Sequence, residues 1–126
     1  MDPMRLEQLF AARGGAIEGP TGAIRTQIDG VDVYLISETD RDRMRIIVRV
    51  VPVARLDPRI LPVLLEANFD RTLDARYAIA EGDVFAIFMH PISSLTPALL
   101  DSSIDQVLSL RRTFGTTYSG GADPIR

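Results

Sequence analysis

From Arg43 to Val53 the chain alternates with a period of two. Met44, Ile46, Val48 and Val50 fall on one side of the implied strand; Arg43, Arg45, Ile47, Arg49 and Val51 fall on the other, because successive strand residues point to opposite faces. A strand this long and this apolar on one side cannot be a ribbon solvated on both faces. It requires a sheet with the Met44 side covered. Pro52 lacks an amide donor and belongs at the strand's end or at an unpaired position.

The rest of the chain supplies that sheet and its cover. Ile24–Ile28 and Val31–Ile36 read as strands around Asp29-Gly30, a pair suited to a type I′ turn because both residues tolerate positive φ. A second hairpin, Ala75–Ala80 and Val84–Met89, turns at Glu81-Gly82 and ends at Pro91. Met4, Leu6, Leu9, Phe10 and Arg13 outline a short helix stopped by Gly14-Gly15. Asp57-Pro58 combines an N-cap with proline at the first helical position. It opens a helix with Ile60, Leu61, Leu64, Leu65 and Phe69 on its apolar side and Asn68 near its end. Ser94 or Thr96 caps the last helix, which has Pro97 in its first turn and Leu100, Ile104, Val107 and Leu108 at helical spacing.

The expected architecture is α+β: an antiparallel sheet of about five strands with three helices, in the order α-β-β-β-α-β-β-α. The helices cover one face, leaving the other to water or to a partner. Residues 1–114 form the expected single domain, and 115–126, rich in Gly and Ser, a flexible tail.

Composition narrows the chemistry. The chain has 126 residues, 17 acidic and 14 basic, all of the latter Arg, for a net charge of −3. That balance argues against nucleic-acid binding through a basic face. Lys and Cys are absent, which removes Schiff-base and thiol chemistry and thiolate metal sites. The first residues lack a basic and apolar leader, and no apolar run reaches the length of a membrane span. The expectation is a cytoplasmic protein without membrane contact. His90, the only histidine, precedes Pro91 at a strand end and reads as structural. Asp40-Arg41-Asp42-Arg43 reads as a solvated turn. No phosphate loop, dinucleotide fingerprint, calcium loop or nucleophile elbow is present. We therefore expect no catalytic residue, metal site or cofactor, and no enzymatic activity.

The Arg side of the 43–53 strand has two readings. Arg45 and Arg49 flank Ile47, and the neighbouring strand can bring Asp32 and Tyr34 beside them. One reading is cross-strand charge pairing on a solvated sheet. The other is a mixed apolar and Arg surface for a protein partner.

The element order, the stretch Leu64-Leu65-Glu66-Ala67-Asn68-Phe69, the hairpin that follows and the Pro91–Thr96 connection into a long last helix resemble the type III secretion chaperone-like fold. That fold includes the Tir chaperone (CesT-like) family and the YbjN family, associated with sensory-transduction regulation. The resemblance implies a homodimer that binds an extended segment of an unidentified partner protein. It places the dimer on the helix before the second hairpin and on that hairpin, with Leu61, Leu64, Leu65, Phe69 and Phe85 as interface residues. It places the partner on Leu6, Leu9 and Phe10 of the first helix and on the sheet residues Tyr34, Arg45, Ile47 and Arg49. The ending Arg112–Gly121 sits closer to the YbjN side, for which the implied role is a regulatory or sensory domain with a small ligand or signalling partner.

Overall fold

A computed structural model describes residues 1–115. The elements are α1 (Pro3–Ala11), β1 (Ala23–Ile28), β2 (Val31–Glu38), β3 (Arg43–Pro52), α2 (Ile60–Asp70), β4 (Arg76–Ala80), β5 (Asp83–His90) and α3 (Pro97–Thr113), with short 3-10 turns at Thr39–Arg41 and Val53–Arg55. The strands form one antiparallel sheet in the order β1-β2-β3-β5-β4. The five strands, three helices and their order are those expected from the sequence. Of the expected tail, 115–126, all but Gly115 lies outside the described residues.

Local chemistry accounts for the elements. Both hairpins turn through two residues with positive φ: Asp29 (52°) and Gly30 (77°), then Glu81 (51°) and Gly82 (82°). This is the type I′ geometry whose twist matches that of the strands. Asp2 caps α1 by accepting from the Arg5 amide at 2.9 Å, and Thr96 caps α3 by accepting from the Leu99 amide at 3.1 Å. Asp57 accepts from the Arg59 amide at 3.0 Å. The α-helical pattern of α2 nevertheless begins only at Ile60, because the turn before it closes with Ile60 and Leu61 amides reaching back three residues. Gly14 lies so close to β1 that a Cβ there would sit 2.2 Å from Thr26 Oγ1, so the chain leaving α1 can cross this strand only as glycine.

All three helices contribute to one core on one face of the sheet. Leu6 and Phe10 from α1, Leu64 and Ala67 from α2, and Leu100, Ile104, Val107 and Leu110 from α3 bury against Val33, Leu35, Met44, Ile46, Val48, Val84, Ala86 and Phe88. The alternation in β3 breaks at one place. Its register against β5 shifts between Arg49 and Val51, so Val51 is buried and Val50 only half-buried. This reverses the two positions relative to strict period two. A bulge inserts one residue and flips every side chain after it, and that extra residue lets the strand carry an apolar side chain into the core before Pro52.

Leu6 and Phe10, expected among the partner-contact residues, lie in this core. Both are wholly enclosed and hold α1 to the sheet, so a partner could reach them only by displacing the helix. Only Leu9 of that set remains half-buried at the surface. Phe10→Ala is expected to destabilise the fold by roughly 3–5 kcal/mol through lost burial and a residual cavity, measured as a shift in the urea unfolding midpoint. A loss below 1 kcal/mol would mean that α1 is not part of the cooperative core.

Candidate protein-binding surfaces

The pleat sorts the strand charges. Arg25, Asp32, Glu38, Arg43, Arg45, Arg49, Arg76 and Asp83 all alternate with core residues and therefore share the face away from the helices. The same open face carries Tyr34, Ile36, Ile47, Phe85, Ile87 and Met89. Antiparallel register aligns Arg25, Tyr34, Ile47, Ile87 and Arg76 in one row across all five strands. Tyr34, Arg45, Ile47 and Arg49, singled out in the sequence, thus lie together. Phe85 joins them, directly opposite Arg49, and lies on the far side of the sheet from Leu61, Leu64 and Leu65.

Ion pairs on this face are unevenly shared. Glu38 alone meets Arg43 at 2.9 Å, Arg45 at 3.1 Å and Arg41 at 3.6 Å. Arg49 meets Asp83 at 3.1 Å, and Arg25 pairs with Glu18. The hydrogen bond from Arg43 holds the Glu38 carboxyl below the usual carboxylate range, and the charges of Arg43, Arg41 and Arg45 add to it. The Nε atoms of Arg43 and Arg45 are shut off from solvent with no acceptor. Donors therefore outnumber acceptors around this carboxylate.

The second surface lies on α2 and the edge strand β4. Leu65 (71% exposed), Phe69 (88%), Leu73 (72%) and Ile79 (55%) are large apolar side chains left in water. Leu61, Leu64, Leu65, Tyr77, Ile79 and Val84 line a shallow apolar groove between helix and strand. Leu64 itself is buried beneath it, and Leu61 is half-buried. Asn68 fixes the geometry. Its side-chain oxygen accepts from the Tyr77 amide at 2.8 Å, and its nitrogen donates to the Tyr77 carbonyl at 2.9 Å. One amide side chain thereby acts as a strand partner along part of the exposed β4 edge. The sequence pointed to Asn68 as a helix end; its clamp on the strand nine residues later went unrecognised, as did Leu73 and Ile79 in the exposed apolar surface.

At the end of the sheet near His90, Asp42 holds the connection into α3. The Ser93 amide and hydroxyl donate to its carboxylate at 2.8 and 2.5 Å, and the hydroxyl bond is the main reason its pKa is lowered. The expected solvated turn at 40–43 is thus also a structural tie. The His90 ring contacts the Pro91 carbonyl oxygen through Nδ1 at 2.8 Å and stacks beside Phe88. Among the described residues, no group of three or more His, Cys, Asp or Glu is placed to hold a metal ion, and no helix is long and apolar enough to cross a membrane.

The Glu38 cluster has a pH signature. A carboxyl whose folded pKa is depressed adds stability that is present above its unfolded pKa and is lost as pH falls through the folded value. Glu38→Gln is therefore expected to lower the Tm at pH 7, with the difference from the unmodified chain closing in acid. Thermal unfolding across pH 7 to 2.5 measures it; a gap that stays constant with pH would show that the carboxylate charge contributes nothing.

No family model and no curated protein matches this chain. Solved structures do. The ExsC-ExsE complex contains a chain with a TM-score of 0.67 at 21% identity, covering 89% of this chain and 96% of that one. The HopA1-SchA chaperone-effector complex contains one at 0.65 and 17% identity, covering 85% and 87%. YbjN from E. coli aligns at 0.58 and 13% identity, covering 93% and 94%. These likenesses span most of both chains, from 85% to 96%. The chain has the type III secretion chaperone-like fold.

Proposed function

We propose that this chain is a non-enzymatic homodimeric adaptor that holds an extended segment of a partner protein. The observation carrying this reading is the pair of separate unsatisfied surfaces on one sheet. The exposed apolar side chains of Leu65, Phe69, Leu73 and Ile79 lie on α2, on the loop after it and on the edge strand β4, and suit a second copy related by a two-fold axis. The open face, with Tyr34, Ile47, Phe85, Arg45 and Arg49, has the Arg and aromatic content of a protein-contact surface. Having two surfaces allows dimerisation and partner binding to proceed without competition. Support from likeness lies in the HopA1-SchA structure, described as a chaperone-effector complex. Similarity to YbjN favours a second reading, a regulatory domain that uses the same open face for a signalling partner or small ligand.

Light scattering after size exclusion is expected to return about twice 13.9 kDa. Phe69→Asp and Leu65→Asp are each expected to weaken self-association at least tenfold while leaving the circular dichroism spectrum unchanged, since both side chains are exposed. Ile47→Asp is expected to leave the dimer intact and to remove the partner that co-purifies with the unmodified protein. Mass spectrometry of the co-purified material separates the readings: one stoichiometric polypeptide supports the adaptor and a bound metabolite the regulator. A strict monomer at all concentrations would sink the homodimeric adaptor.

A further inference from the structure

We infer that the open sheet face takes an acidic, extended segment whose carboxylates bracket a short apolar run. This rests on the partner-binding reading above and specifies the chemistry of the partner. Ile47 lies at the centre of the face. Along its own strand it is flanked on the same side by Arg45 and Arg49. Across the sheet, the row through it runs over Tyr34 and Ile87 and ends at Arg25 and Arg76. An apolar centre is thus bounded by arginine in both directions.

The sign of this face opposes that of the whole molecule. The strands carry five arginines, Arg25, Arg43, Arg45, Arg49 and Arg76, against the strand carboxylates Asp32, Glu38 and Asp83 and against Glu18, which pairs with Arg25 at the β1 edge, an excess of one positive charge, whereas the chain as a whole is −3. Local pairing leaves capacity unused. Glu38 is divided among three arginines, and Arg76 rests on neutral oxygens, the Thr72 hydroxyl and the Leu73 and Ala75 carbonyls. A second copy docked face to face would set these arginines against their equivalents, which disfavours that occupant. An acidic segment meets the excess donors with bidentate acceptors.

Geometry sets the spacing. Four inter-strand steps of about 4.8 Å separate the ends of the Arg25 to Arg76 row by about 19 Å. In an extended segment rising about 3.3 Å per residue, carboxylates about six residues apart span that distance, with the two intervening same-face side chains over the apolar centre formed by Tyr34, Ile47 and Ile87.

Fluorescence anisotropy with three labelled peptides on the full chain tests this. The peptides are Glu-Thr-Ile-Thr-Val-Thr-Glu and its analogues ended by Gln or by Arg. The Glu-ended peptide is expected to bind at least tenfold more tightly than the Gln-ended one and to weaken as salt rises from about 50 to about 300 mM, with the Arg-ended peptide weakest. The double variant R25Q/R76Q, which removes the two row-end arginines, is expected to abolish the Glu-over-Gln preference. The peptide series itself needs no substitution in the protein, so a misfolded variant cannot obscure the outcome. Equal binding of Glu- and Gln-ended peptides, tightest binding of the Arg-ended one, or no binding of any overturns the acidic specificity. So does self-association through this face that Ile47→Asp removes. If Glu- and Gln-ended peptides bind equally and Ile47→Asp removes both, the partner surface stands and only its charge preference falls. If Ile47→Asp changes no binding arm and the co-purified partner is also retained, the partner-surface reading falls as well.

Discussion

The pairing of β3 with β2 on one side and β5 on the other is the constraint from which the rest of the structure follows. Once that central strand lies in a pleated sheet, Met44, Ile46 and Val48 must point one way and Arg43, Arg45, Ile47 and Arg49 the other. Register carries the division to every neighbour, so no strand Asp, Glu or Arg falls on the helix-covered face. The helices need supply only apolar side chains. Burying an unpaired guanidinium under them would carry a large desolvation cost, and a one-residue slip in register would do that at several positions together. The charged face and the core are therefore two results of one alternation.

A one-sided sheet leaves edges, and this chain treats its two edges differently. Along β1, Glu18 and Arg25 exchange backbone hydrogen bonds at 2.9 and 2.8 Å, and the Gly15 amide reaches the Gln27 carbonyl at 3.4 Å. The loop after α1 thus occupies much of that edge. Along β4, Asn68 covers the peptide groups of Tyr77 alone, and Ile79 follows it with an exposed side chain. Exposed edges favour unwanted pairing. The partly covered edge is also the one bordered by Leu65 and Phe69, which is where a specific contact with a second copy is proposed.

Much of the frame was legible from short-range chemistry. Asp29-Gly30 and Glu81-Gly82 have few ways to turn, Thr96-Pro97 has few ways to begin a helix, and the alternation in β3 has few ways to bury its apolar side. What escaped were effects with partners distant in sequence. The bulge after Arg49 is a matter of registry with β5, some 35 residues on, and it exchanges the roles of Val50 and Val51. The fate of Leu6 and Phe10 depends on how closely α1 lies on the sheet, which is set partly by the glycine at 14 against Thr26. Helical spacing marks an apolar stripe without saying whether its cover is the same chain or another.

The candidate surfaces divide in the same way. That Arg45, Ile47 and Arg49 share a face follows from sequence alone, since side-chain direction in a strand is a local property. That Tyr34, Phe85 and Ile87 join them, and that Phe85 is separated by the sheet from Leu61 and Leu65, depends on strand order and register. The exposure of Phe69, Leu73 and Ile79 depends on where α2 stops covering β4. Sequence by itself determined the elements, their turns and the two-faced character of the sheet, because these rest on interactions among near neighbours. Only the tertiary structure decided which apolar residues remain in water and which arginines compete for one carboxylate, because burial and charge pairing are set by residues that meet only after the sheet has closed.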